Sequence, residues 1–344
     1  MNEPIEQNKG SLQEEASTTN ETSGAPMFSH VPVVAQLSVA IGVLVVVFGA
    51  TYLPEVYGLI VSGKDAETST PRTVKNQPKV AEGISFEDVT LEAKAAYVWD
   101  VRDQRALYNK NADEQLPLAS ITKLMTALVA HELLGDDAQI NITADAVRQD
   151  GDSGLYPGEQ FDVQNLMDFT LITSSNDGAY ALAAAASASI PKSSGNTKTF
   201  VDLMNIRAET IGLSRTVFKN STGLDTSDIE SGAYGSARDV TFLTEYILTE
   251  YPSLLEHTGI DHTYIANSLG LTHEAANTNE SVGETYGILA SKTGFTTLAG
   301  GNLMVAVDID LNHPVIITVL GSSYEGRFTD VATLLEATRA ATTK

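Results

Sequence analysis

An α+β fold, with an antiparallel sheet of about five strands flanked by helices, is predicted by three features. Two strand patterns lie near the start of the domain, three lie near its end, and a helical middle separates them. "AKAAYVWD" (93–100) and "RALYNK" (105–110) are short, rich in strand formers and joined by the charged turn "VRDQ". From residue 118 to about 285 the reading is mostly helical. "LPLASITKLMTALVAHELL" places Ile121, Leu124, Met125, Leu128 and Val129 at helical spacing, with Pro117 suited to a helix start. "NLMDFTLITSSNDGAYALAAAASA" and "SARDVTFLTEYILTEYPSLLEH" are the other clear helical segments. "GILASKTG", "GNLMVAVDID" and "PVIITVLGSS" return to strands, and "RFTDVATLLEATRAAT" is a closing helix. Pairing strands from both ends makes residues 84–344 one domain.

Upstream of it the composition changes twice. Residues 1–30 carry five glutamates against Lys9 among Ser, Thr, Asn and Gln, too little apolar surface to offset chain entropy, and read as a disordered acidic tail. Residues 31–61 read as a transmembrane anchor preceding the domain. Val33 to Leu53 holds no formal charge, and its length at ~1.5 Å per residue spans roughly 30 Å, the thickness of a bilayer core. Both flanks are polar, so nothing is at hand to bury it as a core helix. An acidic leader and the lack of an A-x-A site argue against a cleaved signal peptide. Residues 62–83 are polar, Pro-containing and without period, a linker. Lys64, Arg72, Lys75 and Lys79 follow the span and only Lys9 precedes it, which by the positive-inside rule places the domain in the cytoplasm.

A formal charge of −23 argues against nucleic acid as a partner, since no basic track could neutralise phosphates. The absence of cysteine removes disulfides, thiol catalysis and cysteine–zinc sites. His131-Glu132 and His273-Glu274 have no second His at zinc-peptidase spacing, and His257 and His262 stand five apart. These histidines read as surface or loop residues. Neither a G-x-S-x-G elbow nor a P-loop is present. No metal or cofactor is expected.

Three short motifs remain. Ser120 and Lys123 stand three apart, a spacing that lets Lys Nζ reach Ser Oγ on one helical face, and first-turn N–H groups can stabilise an oxyanion. Ser174-Ser175-Asn176 ends an apolar helical run. Lys292-Thr293-Gly294 ends a strand, and a cation, a hydroxyl and a Gly there suit a carboxylate-binding wall approached closely by backbone. Singly, each is cheap: Ser189–Lys192 also fits S-x-x-K and Ser194–Asn196 also fits S-x-N. The three in this order, in helix, loop and strand contexts, are far less so.

That ordered set resembles the penicillin-interacting serine enzymes, a β-lactamase/D,D-peptidase-like fold, and is most similar to the low-molecular-mass D-alanyl-D-alanine carboxypeptidases. "LYNKNADEQLPLASITKLMTAL", "LITSSNDGAYALA", "FVDLMNIRAETIGLSRTVFKNSTGLD", "ILASKTGFTTLAGGNL" and "VLGSSYEGRFTD" carry the resemblance over about residues 84–340. It implies that Ser120 attacks the D-Ala–D-Ala carbonyl with Lys123 as base, while Ser174 relays the proton and Asn176 holds the substrate amide. It also implies an oxyanion hole from the Ser120 and Phe295 N–H groups, a grip on the terminal carboxylate by Lys292 and Thr293, and Gly294 in the substrate wall. Peptidoglycan stem peptides become the substrates and β-lactams covalent inhibitors. Such an enzyme works outside the cytoplasm, so the implied location is single-pass in the cell membrane with the catalytic domain outside, against the charge count. A class A β-lactamase would need an E-x-x-L-N glutamate for deacylation, which the chain lacks. D,D-endopeptidase action uses the same residues. An idle muropeptide sensor would have no use for the Ser120–Lys123 pair.

Overall fold

The computed structural model describes residues 85–135, 137–190 and 196–342. The expected tail, anchor and linker lie outside these residues, as do parts of the competing motifs at 189–192 and 194–196. Among the described residues no helix is long and apolar enough to cross a membrane.

The chain opens with β1 (Ala95–Asp100), β2 (Arg105–Lys110) and β3 (Leu116–Pro117), then α1 (Lys123–Leu133). A hairpin of β4 (Gln139–Asn141) and β5 (Gln160–Asp162) precedes α2 (Val163–Ile172), α3 (Asn176–Ser189) and α4 (Thr197–Thr210). Next come β6 (Val217–Phe218), β7 (Ala233–Gly235), α5 (Ala237–Glu250) and the hairpin β8 (His262–Ala266) and β9 (Thr272–Ala276). The end is β10 (Ile288–Thr296), β11 (Gly300–Asp308), β12 (Pro314–Ser322) and α6 (Gly326–Thr342).

The main sheet is five-stranded and antiparallel in the order β10-β11-β12-β1-β2, so β1 closes onto the C-terminal strands from Ala95↔Leu320 to Asp100↔Val315. Side chains alternate across the sheet, and this alternation divides the apolar core in two. Ala95, Tyr97, Met304, Ala306 and Ile316 face the helical side with α1 and α5. Ala96, Val98, Val305, Ile317 and Val319 face Val331, Leu334 and Leu335 of α6. Covered on both faces, β11 and β12 are apolar without alternation, as their sequences are. Tyr97 meets Phe242 of α5 edge-on at 6.2 Å, and Thr241 and Thr318 hydroxyls bond at 2.8 Å across the same interface.

Three sequence expectations are corrected. The 118–285 stretch is less helical than read: it contains two hairpins, two short strands and a long loop. Pro117 does not start a helix but lies in β3, paired with Tyr234 of β7, and a 3-10 turn over Ala119–Thr122 separates it from α1. Proline has no N–H for the ladder, so the next residue supplies it, Leu118 N donating to Ala233 O at 3.0 Å. Nor is His273 a surface residue. Its side chain is 9% exposed on β9, with Nε2 3.0 Å from Glu159 Oε1, and the pair ties the β8–β9 hairpin to the segment before β5.

Candidate active site

Ser120 sits where β3 turns into α1, and two glycines let other segments close on that turn. A Cβ at Gly294 of β10 would stand 2.9 Å from Leu118 O and 3.1 Å from Ser120 N, so only glycine lets the strand lie against this backbone. Gly223 adopts φ +83°, and a Cβ there would be driven into the Ala119 carbonyl. From β11, Asn302 Nδ2 donates to the carbonyls of Pro117 and Leu118, both at 3.0 Å. Ala119, held between them, has φ +48°, a conformation non-glycine residues seldom adopt, as does Ser174 at φ +60°.

Lys123 is the first residue of α1 and wholly buried. Its Nζ lies 2.8 Å from Ser120 Oγ, 2.7 Å from Asn176 Oδ1 and 2.8 Å from Thr222 O. Asn176 Nδ2 donates to Asp150 O at 2.5 Å, which fixes the amide's orientation and leaves Oδ1 facing the lysine. Asn176 Oδ1 and Thr222 O can only accept. A neutral amine has two N–H donors, and those two carbonyl oxygens take both. Its lone pair is then left for the Ser120 hydroxyl proton. Burial first, and the charge of Lys292 second, hold Lys123 well below its ordinary value, towards this neutral form.

Lys292 is also buried, and its Nζ donates to Ser174 Oγ at 2.9 Å and to Thr293 O at 3.0 Å. The three motifs, whose extremes Ser120 and Gly294 are 174 residues apart, therefore form one connected network. Burial, then the Arg327 guanidinium, pull Lys292 down to about 7. Arg327 comes from α6, is buried, and donates from Nη1 to Gly294 O at 3.2 Å. Thr293 Oγ1 lies 2.5 Å from Thr278 Oγ1. Phe295 presents its ring to solvent, 5.2 Å from Tyr324 edge-on, while its N–H belongs to the strand that lies against the Ser120 amide. A cavity of about 330 Å³ opens beside Ser174 and Asn176, walled by Gly151, Ser153 and Glu274.

Ser120, Lys123, Ser174, Asn176, Lys292, Thr293, Gly294 and Phe295 thus all lie in this region. The helix-face geometry expected for Ser120 and Lys123 is realised through a 3-10 turn running into α1. Asn176, expected to hold a substrate amide, spends both polar atoms on Lys123 and Asp150, although its carbonyl oxygen keeps a second lone pair. Sequence reasoning missed Thr222, Asp150, Thr278 and Arg327. The first two act through backbone carbonyls, which carry no residue-type signature. "KNSTGLD" and "YEGRFTD" were the only signals for Thr222 and Arg327, and neither specified a role.

Residues 81–324 match the family described as D-alanyl-D-alanine carboxypeptidase. D-alanyl-D-alanine carboxypeptidase DacF of Bacillus subtilis is 32% identical over 222 residues, covering 62% of this chain and 54% of its own. The chain thus spans about half the length of that relative. A D-alanyl-D-alanine endopeptidase of Pseudomonas aeruginosa is 29% identical, covering 79% of this chain and 83% of its own. Among solved structures, penicillin-binding protein D2 from Listeria monocytogenes, in its cefotaxime-bound form, is 28% identical with a TM-score of 0.61, covering 72% of this chain and 98% of its own.

Proposed function

The chain belongs to the D-alanyl-D-alanine carboxypeptidase family, and we propose that it removes the terminal D-Ala from peptidoglycan stem pentapeptides through an acyl-enzyme on Ser120. The observation that carries this reading is the buried Lys123 amine, 2.8 Å from Ser120 Oγ with its lone pair left for that hydroxyl. Lys123 takes the Ser120 proton as Oγ bonds to the carbonyl carbon of the D-Ala–D-Ala peptide bond. The Ser120 and Phe295 N–H groups stabilise the oxyanion. When the C–N bond breaks, Ser174, in contact with Lys292, gives its hydroxyl proton to the departing amine and takes up the one that Lys123 holds, so D-Ala leaves and Lys123 is neutral again. Lys123 then takes a proton from water as the water oxygen bonds to the ester carbonyl, and delivers it to Ser120 Oγ as the ester bond breaks.

Lys292 and Thr293 hold the terminal carboxylate, which favours substrates with a free C-terminus. β-Lactams acylate the same serine. In support, a solved relative 28% identical to this chain is a penicillin-binding protein in a cefotaxime-bound form. No metal or cofactor takes part in these steps. The test is release of D-Ala from a pentapeptide by the full chain, with a cross-linked peptide dimer alongside. Release from the pentapeptide and its loss in Ser120→Ala are expected; cleavage confined to the dimer would favour the endopeptidase reading, which the Pseudomonas relative keeps in play.

Lys123 must be neutral and Lys292 charged, which sets a pH dependence. Lys292 loses its proton as pH rises through about 7, and with it the grip on the carboxylate. The expected result is a KM for the pentapeptide that climbs above about pH 7, up to roughly tenfold per pH unit, while kcat changes less. Initial rates from pH 6 to 9 check this. The location follows from the substrate: residues 31–61 anchor the chain and the domain faces outward. Protease added to intact cells should digest the domain; its survival until lysis would support the orientation given by the flanking charges.

A further inference from the structure

A second, larger cavity of about 570 Å³ shares Asp150 and Thr222 with the wall of the Ser120 site. Those two residues also supply the carbonyls bonded by Asn176 and Lys123, so the cavity begins where the reactive centre ends. It then runs along one face of α4, from Thr197 through Val201 to Asn205. The nine residues from Thr197 to Asn205 extend ~12 Å, close to the ~14 Å that a four-residue extended peptide can span.

The lining is polar yet electrically balanced. Arg148, Lys198 and Lys219 face it, and so do Asp150, Asp202 and Asp225, three charges of each sign. The cations are already paired: Lys198 with Asp202 at 3.0 Å, Lys219 with Glu230 at 2.5 Å, and Arg148 with Asp145. Asp225 is occupied by Thr296 Oγ1 at 3.0 Å and Leu298 N at 3.2 Å. Among the described residues every cation of the lining is engaged and only the Asp150 carboxylate is without a partner, so no free cation selects an anionic ligand. Tyr180 adds a half-buried ring whose hydroxyl has no hydrogen-bond partner among the described residues. A polar, uncharged ligand with many hydroxyl and amide groups fits such a lining, and an aromatic face can receive the apolar side of a sugar ring.

We propose that this cavity binds the N-acetylated sugars to which the stem peptide is attached, making glycan-linked peptide the preferred substrate over free peptide. This rests on the reading of the Ser120 site given above, which takes a stem peptide. The four residues on the acyl side of the scissile bond bridge the two sites, and binding energy from the remote sugars is available to the reacting end.

The test compares, on the full chain, kcat/KM for free pentapeptide and for the same peptide on its N-acetylglucosamine–N-acetylmuramic acid disaccharide. An advantage of at least about tenfold for the disaccharide form is expected. Asp202→Trp, on the exposed face of α4, plugs the cavity. It should bring the ratio down to about one and leave free-peptide hydrolysis unchanged, while Tyr180→Phe should reduce the ratio partly, by roughly the worth of one hydrogen bond. Equal rates for both substrates in the parent chain, or an advantage untouched by Asp202→Trp, would overturn the proposal. Peptide-free disaccharide, titrated by NMR, separates this from the activity itself. If neither peptide is cleaved the hydrolase reading fails, while disaccharide binding lost in Asp202→Trp would still uphold the cavity assignment and its absence would end it.

Discussion

Lys123→Met should lower the rate of acylation at Ser120 by about 10²–10⁴-fold, the range that removal of a positioned general base produces. The side chains are of similar length, so the loss reports on the amine and not on a cavity. Methionine cannot take the Ser120 proton, and it also leaves Asn176 Oδ1 and Thr222 O without a donor. The same variant carries a signature in stability against pH. Both Lys123 and Lys292 are held below the ordinary lysine value of 10.5, Lys292 at about 7. Between about 7 and 10.5 the unfolded chain holds a proton on each that the folded chain binds less well. Folded stability therefore rises with pH across this window and is lost as pH falls through it. Lys123→Met removes one lysine's share of that slope, at most about 1.4 kcal/mol per pH unit. Urea unfolding of both chains between pH 7 and 10 measures it. Slopes that coincide would mean that Lys123 is not held neutral by the fold.

Gly223→Ala should cost at least about 3 kcal/mol of stability, with acylation falling about a hundredfold in whatever remains folded. Two effects add. The backbone is at φ +83°, which alone costs an alanine ~1–2 kcal/mol. The new methyl would also be forced into the Ala119 carbonyl, with Thr122 Oγ1 only 2.7 Å away. Relief requires moving the Ser120 turn or the Thr222 carbonyl that accepts from Lys123. Gly212 is the natural control: its φ is +82°, and a Cβ there meets nothing within 4 Å. Gly212→Ala should show the backbone cost alone and full acylation. If the two variants match in unfolding and in rate, close packing at Gly223 does not hold the turn.

These variants also separate what the sequence reveals from what it hides. Strands β1, β2, β10, β11 and β12, and helix α6, were legible to within two residues at their ends, because each strand is a run of six or nine residues rich in strand formers and the helix is seventeen residues long. The strands β3, β6 and β7 were not, being two or three residues each and held by pairing partners distant in sequence. Pro117 was misplaced for the same reason, since a proline before an apolar helical run fits a helix start as well as an edge strand. At the site, the side chains of Ser120, Lys123, Ser174, Asn176 and Lys292 were legible because their motifs are. Invisible were the left-handed backbone at Ala119, the carbonyls of Asp150 and Thr222, and the reach of Arg327 from α6 to Gly294. Each is produced by packing between segments that only the fold brings together.

Mass spectrometry of the full chain after exposure to a penicillin tests the pairing of Ser120 with Lys123 most directly. One covalent adduct is expected, on the peptide containing Ser120, persisting because the chain lacks the glutamate that would speed its hydrolysis, and strongly reduced in Lys123→Met. An adduct on Ser174, or none at all, would contradict the assignment of Ser120 as the nucleophile and Lys123 as its base.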